Sequence, residues 1–542
     1  MQPVLTTEDV RKAELTLDAQ GVSLAELMDR AGTATAQAVL GVEGAQSVAI
    51  LAGYGNNGGD GWVAATLLQE QGLHACVVTP VLPADIRSDL AREVALAAER
   101  AKVPILVLPS QDELDEVLFG ADVVVDAMLG TGFYGDPKEP FASWINSANA
   151  CGAFVLAVDV PSGLSAQTGC ASQTTIVANK TVTMICLKPG LLSDLGRDVC
   201  GDIEVAPLDE QAECVAIDEG PTAWRCEPGD YLDVMFAPSM TVDKFTRGSV
   251  LVVGGSRRYI GAAVLAARAA ARGGAGYVTL AVPEPIVPVV QAHVVEIPVV
   301  GMPADPQAGC FAAEAVEPLL DLAQRSSAVV VGPGMTVCPS TMAVVQALLG
   351  CDVPLVVDAD ALNCLARIVQ GKLDQSPELI RRAFPLVLTP HRRELGRLVD
   401  AADAPPQTLP EAIEAARRVV WADGGSELCI VAKGATTACV GVDVALLPQP
   451  GPSALATAGS GDVLAGIMGA TLARTPLELA EQNLPLLCAM ACEVHGYAGS
   501  IAAERYGSRG VMAGDVADVV GLAMDLLEER ATLVEDKDVW SM

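Results

Sequence analysis

The stretch GYGNNGGDG (53–61) lies between the apolar run VAIL and the segment WVAATLL, and so reads as strand, loop and helix. Its glycines let backbone approach a ligand closely. Its side chains are those of Asn56, Asn57 and Asp60, with no lysine to meet a phosphate. DAMLGTGFYGD (126–136) and DVPSG (159–163) also close apolar runs, and add Asp126, Asp159 and Ser162. Amide, carboxylate and hydroxyl oxygens are hard ligands suited to an alkali or alkaline-earth cation. Free N–H groups of the GTG loop can hold a phosphate. Helix capping and chain reversal explain any one such loop alone. Three on one sheet edge favour a binding site.

A second set of loops begins with VVGGSRRYIGAA (252–263) and continues through GPGM (332–335), DADALN (358–363), TPHRRE (389–394) and KGATT (433–437). The most specific is ATAGSGDVLAG (456–466), which places Asp462 at the start of an apolar helix. Such a helix start offers N–H groups to an anion, and Asp462 can accept a proton from a substrate hydroxyl. The plainer alternative is an acidic residue favoured there by the helix dipole.

These loops need a frame, and the pattern supplies one. Apolar runs at 48–53, 76–80, 104–109, 123–128, 154–160 and 181–187 alternate with helical segments. A polar stretch from 207 to 230, rich in turn residues, reads as a junction. A second series follows at 249–255, 276–283, 328–334, 354–360, 385–390 and 428–434, then a helix-rich region to about 528 and a tail expected to fray. Continuous apolar strands separated by helices indicate parallel sheets covered on both faces. The fold class is α/β in two domains, each a layered αβα sandwich, as the length of 542 residues requires more than one core. Ligands in such sheets gather beyond the carboxyl ends of the strands.

The net charge of −33 argues against nucleic acid or an anionic membrane as partner. No apolar run is read as membrane-spanning, and the charged opening MQPVLTTEDVRK lacks a signal-peptide core, so a cytoplasmic location is expected. Fifteen scattered cysteines without a CxxC are expected to be reduced and mostly buried. Four histidines in no ligand spacing suggest no transition-metal site.

GYGNNGGDG, DAMLGTGFYGD, DVPSG and the opening AELMDRAG (25–32) resemble the N-terminal YjeF family, the NAD(P)H-hydrate epimerases. GGSRRYIGAA, GPGM, DADALN, TPH, KGATT and AGSGD resemble the ADP/ATP-dependent NAD(P)H-hydrate dehydratases of the ribokinase-like superfamily. The resemblance covers nearly the whole chain and implies a Rossmann-like epimerase domain over 1–218 and a ribokinase-like dehydratase domain over 219–535. It implies interconversion of the R and S hydrates of NADH and NADPH, then dehydration of the S form with ADP, or less expectedly ATP, as phosphoryl donor.

By the same resemblance Asn56, Asn57, Gly58, Gly59, Asp60, the loop Gly130, Thr131, Gly132, Phe133, Tyr134, Gly135 and Asp136, and Asp159 hold the hydrate in the first domain. Asn57, Asp126 and Ser162 match potassium ligands. In the second domain Ala262, Gly334, His391 and Asp462 match hydrate contacts, and Lys433, Gly434, Ala435, Thr436, Thr437 and Gly461 match nucleotide-binding positions. Asp159 and Asp462 are the catalytic candidates, with K+ in the first domain and Mg2+ beside the nucleotide as expected cofactors. Lys180 and Lys188 recur in similar places in that family; a role against substrate charge is one reading, and a plain phosphate or surface contact the favoured one.

The chain departs from the family at AGSGD, where GGTGD is usual, at Arg392 and Arg393, where proline and glycine are common, and at KFTRG (244–248). A homo-oligomer is expected by analogy. The rival reading is a ribokinase-like vitamin-precursor kinase carrying a non-catalytic N-terminal nucleotide-binding module.

Overall fold

The computed structural model describes residues 1–235, 246–369, 382–423 and 427–539. The chain divides into two compact units, chiefly Gln2–Ala223 and the residues from Trp224 onwards.

The first unit opens with β1 (Gln2–Val4) and the helices Thr7–Ala19 and Leu24–Leu40. Thr6 and Ser23 start these helices by accepting the N–H groups of Asp9 and Glu26 on their hydroxyls. Strands β2 (Ser47–Ala52), β3 (His74–Thr79), β4 (Ile105–Val107), β5 (Val123–Ala127), β6 (Phe154–Val158), β7 (Lys180–Met184) and β8 (Asp202–Ala206) follow. They lie in the order β4-β3-β2-β5-β6-β7-β8, all parallel. Residues 48–52 and 123–127 are buried throughout, as strands covered on both faces require. The chain adds β3 and β4 on one side of β2 and then crosses to β5 on the other. The sheet therefore changes direction between β2 and β5, where the first turns of GYGNNGGDG and DAMLGTG emerge.

The second unit runs from β9 (Ala223–Arg225) through β10 (Ser249–Val253), β11 (Tyr277–Pro283), β12 (Val299–Met302), β13 (Ala328–Val331), β14 (Leu355–Val357), β15 (Leu386–Leu388), β16 (Leu428–Ala432) and β17 (Ala438–Val440) to β18 (Ala445–Leu447). Their order is β12-β11-β10-β13-β14-β15-β16-β17-β18-β9. β17 is antiparallel to both β16 and β18; the remaining pairs are parallel. Here the reversal falls between β10 and β13, which carry the GGSRRYIG and GPGM loops.

Several elements escape the search for apolar runs. β8 is an edge strand that alternates Asp202 and Glu204 with half-covered neighbours, and β17 and β18 are three residues each. The polar junction contains the helix Ala212–Asp218, whose Ala212, Val215 and Ala216 pack on Leu5, Val10, Ala13 and Leu17. The C-terminal segment, expected to fray, continues as the helix Val520–Val539. Among the described residues one helix, Leu484–Tyr506, is long and apolar enough to cross a membrane. It packs against β16, β17 and β18, and its Leu487, Cys488 and Ala491 lie in the core of this unit.

Candidate active sites

In the first unit the loops after β2, β5 and β6 meet. The helix Asn56–Glu70 starts inside GYGNNGGDG, with Gly55 as its N-cap. Asn56 is exposed and its Oδ1 accepts the Ser88 hydroxyl at 2.6 Å. Asn57 faces the next loop: a Cβ placed on Gly130 would lie 3.4 Å from its Oδ1. The Asn57 Nδ2 is buried without a hydrogen-bond partner. Gly58 and Gly59 are buried, and a Cβ on Gly59 would strike the Met28 side chain at 2.6 Å, so these glycines also allow the helix to pack. Phe133 N–H closes a turn on the Gly130 carbonyl at 3.0 Å. Thr131 and Phe133 are half-buried, whereas Gly132, Tyr134, Gly135 and Asp136 are exposed. Asp136 accepts the Ser172 hydroxyl at 2.7 Å, tying the loop to the chain beyond DVPSG.

Asp126 is wholly buried. Its Oδ1 accepts the Ser162 hydroxyl at 2.6 Å and its Oδ2 the Ser162 N–H at 2.7 Å. Burial pushes its pKa up to about 6 against those bonds. Asp159 has left-handed backbone (φ 64°), and its Oδ1 lies 2.6 Å from the Lys188 ammonium. Lys188 is fully buried and also donates to Thr183 Oγ1 at 2.9 Å and the Met184 carbonyl at 2.7 Å. It is thus a buried ion-pair partner of a candidate catalytic group, not the surface or phosphate contact expected of it. Lys180 sits at the opposite end of β7 and pairs with Glu204 at 2.5 Å. Burial, then Asp159 and Glu14, hold the Asp60 carboxyl well above the ordinary range. Burial also raises Glu14, with Lys188 opposing. Glu14 comes from the Thr7–Ala19 helix, and nothing local in its sequence marks it.

In the second unit the loops after β10, β13, β14, β15 and β16 converge with the start of the helix Ser460–Arg474. Gly334 (φ 68°) abuts Ala262: a Cβ there would lie 3.1 Å from that of Ala262 and 2.5 Å from the Tyr259 carbonyl. Lys433 donates to Asp358 Oδ1 at 2.7 Å, and Asp358 accepts the Thr389 hydroxyl at 2.6 Å. Lys433 N–H donates to the Pro390 carbonyl, so KGATT lies directly beside TPH. A Cβ on Gly461 would stand 3.4 Å from the Lys433 ammonium. Thr436 is buried, Thr437 lies with its hydroxyl 3.5 Å from the Gly434 carbonyl, and Gly434 and Ala435 are exposed.

Burial raises the Asp462 pKa to about 7, with Asp358 and Asp360 adding and Lys433 opposing. Burial works to lower the pKa of Lys433, but Asp358, Glu394 and Asp462 hold it above its ordinary value. His391 caps the helix Arg392–Leu398: its Nδ1 accepts the N–H of Arg393 at 3.1 Å and of Glu394 at 3.3 Å. Burial and Lys433 lower its pKa, so the ring is neutral and Nε2 carries its proton. Arg392, at one of the departures from the family pattern, donates to the Gln407 carbonyl at 2.6 Å. Lys244 and Phe245 of KFTRG lie outside the described residues.

Asp358 is legible in the sequence only as the first aspartate of the strand-ending DADALN, and nothing local marks His495. His495 is buried in the Leu484–Tyr506 helix and meets the Ser460 hydroxyl at 3.1 Å through Nε2. Only the fold brings these two together across 35 residues.

Residues 24–190 match the family described as YjeF-related protein N-terminus, and residues 250–520 the family described as NAD(P)H-hydrate dehydratase. The bifunctional NAD(P)H-hydrate repair enzyme of Moorella thermoacetica is 34% identical over 525 residues, covering 94% of each chain. This chain belongs to the bifunctional NAD(P)H-hydrate repair enzyme family. A second member, from Escherichia coli, is 32% identical and covers 94% of this chain and 91% of its own. The ADP/ATP-dependent NAD(P)H-hydrate dehydratase of Bacillus subtilis, crystallised with ATP and Mg2+, aligns over 56% of this chain and 99% of its own, at 22% identity and a TM-score of 0.44. Family membership joins the two loop clusters into one repair activity.

Proposed function

We propose that the first unit epimerises the R and S hydrates of NADH and NADPH, and that the second dehydrates the S form with ADP, or less readily ATP, as phosphoryl donor. The observation that carries this is the near-full-length match to bifunctional repair enzymes, with acid–base groups gathered at the reversal point of each sheet. Both substrates are small molecules; neither nucleic acid nor membrane takes part, and the cytoplasm is the expected compartment.

In the first unit the hydrate sits across residues 56–60, the 130–136 loop and Asp159. The ring nitrogen's lone pair expels the hydroxyl, and Asp60, whose burial favours the protonated carboxyl, donates to it as it leaves. Water then adds to the opposite face, and Asp159, oriented by Lys188, takes its proton. Potassium fits Asn57, Asp126 and Ser162: a wholly buried carboxylate, a buried hydroxyl and an amide oxygen facing the Gly130 loop form a hard, oxygen-rich set. Bound there, the cation would neutralise Asp126 and fix the loops after β5 and β6.

In the second unit Ala262, Gly334 and His391 hold the hydrate, and the segment from Lys433 to Thr437 with Gly461 holds the nucleotide. Asp462 accepts the hydrate's hydroxyl proton as that oxygen attacks the terminal phosphorus of ADP, and AMP leaves. Lys433 and the N–H groups at the start of the Ser460–Arg474 helix face the negative charge that develops. The phosphorylated oxygen then departs as phosphate, pushed by the ring nitrogen, and loss of a ring proton gives NAD(P)H. Magnesium would enter on the nucleotide phosphates, since Asp358 is already engaged by Lys433 and Thr389.

The deciding experiment follows the return of nicotinamide absorbance from mixed R and S NADPH hydrate in potassium buffer, with ADP, ATP or neither. Nucleotide-dependent recovery of both epimers, faster than spontaneous epimerisation, is expected. Recovery of the S form alone would remove the epimerase assignment. No recovery, with a stable phosphorylated vitamin precursor formed from ATP, would favour the kinase reading.

A further inference from the structure

Cys310 and Cys338 place their sulfurs 3.4 Å apart in the second unit, and neither has a role in the chemistry above. Cys310 is buried on a small hairpin in which Ala304 pairs with Phe311. The tip of that hairpin accepts the Arg257 N–H on the Gly309 carbonyl at 2.8 Å, so it lies against the GGSRRYIG loop. Cys338 is half-buried and forms the N-cap of the helix Pro339–Leu349, three residues after the GPGM loop. Its sulfur also meets the Ser340 hydroxyl at 3.1 Å and that of Thr341 at 3.4 Å. A thiol at a helix start among donors is a thiolate-forming thiol. Burial works against ionisation, but those hydrogen bonds, the Thr341 N–H and Cys310 pull the Cys338 pKa down to about 7. Cys310 is the reverse case, a buried thiol pushed up to about 12.

We propose that Cys310 and Cys338 are a redox-active dithiol, a modification site at which a peroxide forms a reversible disulfide that slows the second unit's reaction. The Cys338 thiolate attacks the peroxide; an S–O bond forms, the O–O bond breaks, and the departing hydroxide takes a proton to become water. Cys310 then loses its proton, its sulfur attacks the sulfenic acid sulfur, and the S–O bond breaks to release a second water. The two sulfurs together lose two electrons and the peroxide gains them. A dithiol reductant reverses the change.

The consequence follows from what Cys338 is tied to. A disulfide needs a separation of about 2.05 Å, so the sulfurs must close by more than an ångström. Cys338 N–H is held by Thr341 Oγ1, which in turn donates to the Thr336 carbonyl at 2.8 Å. Thr336 donates from its N–H to Asp360 and from its hydroxyl to Ser256. Drawing Cys338 toward the hairpin thus shifts Thr336 and with it the Gly334 loop. A misplacement of about 1 Å at a reacting centre can cost roughly 100-fold in rate.

The test treats the full chain with a slight excess of hydrogen peroxide, blocks remaining thiols with N-ethylmaleimide, and maps linked peptides by mass. The exposed thiols Cys170 and Cys214 report that oxidant was present. A Cys310–Cys338 link is expected, with dehydration slowed at least about tenfold and restored by dithiothreitol, while epimerisation is unchanged. Cys310→Ser and Cys338→Ser should keep full dehydration before and after peroxide, since serine also caps a helix. Oxidation of Cys170 and Cys214 without this link, a link from Cys338 instead to the buried Cys364, whose sulfur lies 3.7 Å from the Thr341 hydroxyl, or a linked chain with unaltered dehydration would each overturn the proposal. The slowing rests on the dehydratase reading, but the link does not. An inactive reduced chain that still forms it would count against that reading and for the dithiol.

Discussion

Replacing Lys188 with methionine removes an ammonium that is fully buried and bonded to Asp159, Thr183 and the Met184 carbonyl at 2.6, 2.9 and 2.7 Å. Methionine keeps most of the apolar stem, so the loss is charge and hydrogen bonds rather than volume. Asp159 is left with the Thr183 hydroxyl and the Met184 N–H, both at 3.2 Å. Breaking a buried pair from one side costs about 3–5 kcal/mol, because the remaining charge is uncompensated. The Asp159 side chain is 13% exposed and can draw some water, which favours the lower end. A loss of about 3 kcal/mol is roughly a 150-fold change in an equilibrium constant. Hydrogen exchange on the full chain reads this directly, since slow core amides exchange through opening of their own unit. Amides of β6 and β7 should exchange about 100-fold faster in Lys188→Met, while those of β13 to β16 serve as an unchanged reference. Adding Asp159→Asn removes the stranded charge and should restore much of the protection, although neither variant should epimerise. Protection in β7 equal to that of the parent protein would refute the claim that this pair is held against an unpaid burial of charge.

Asp462→Asn should abolish dehydration while the nucleotide still binds, as judged by calorimetric titration; full activity would remove Asp462 as base. In the parent enzyme, dehydration should rise with pH through about 7, where Asp462 ionises. The same raised pKa means the folded state holds that proton more tightly than the unfolded chain. Its stabilisation is complete below pH about 4 and is lost as pH rises through about 7, a slope that Asp462→Asn should flatten in denaturant titrations. Asp126→Ala should stop epimerisation and spare dehydration, with the potassium dependence of epimerisation as the second readout. Ser460→Ala should leave the buried His495 nitrogen unpartnered and lower stability by about 1–3 kcal/mol, whereas Ser460→Thr should retain it; equal thermal midpoints for both would contradict the bond.

The sequence was sufficient for the frame. Runs such as VAIL, VVV and AVVV are apolar at every position, a pattern expected of strands covered on both faces, and the strand ends and loops after them carry nearly all the proposed site residues. It was insufficient wherever an element is half-covered or very short. β8 alternates acids with partly covered residues, and the Ala212–Asp218 helix shows only two turns of apolar spacing within a polar stretch. In each case the burial that defines the element comes from distant partners.

The residue types at the strand ends, and therefore the chemistry available, were determined by the sequence itself: hard oxygens around Asn57, Asp126 and Ser162, and an acid opening a helix at Asp462. Which of them act together was decided by the tertiary structure. Within each unit the crossing, β2 to β5 in the first and β10 to β13 in the second, opens a crevice of its own for separate loops, while strand neighbours and helix packing set Lys188 against Asp159, Asp358 against Lys433 and His495 against Ser460. The protonation of these groups is likewise a tertiary property. A carboxyl's affinity for its proton depends on burial and on charges a few ångströms away, and neither is encoded in the residues beside it.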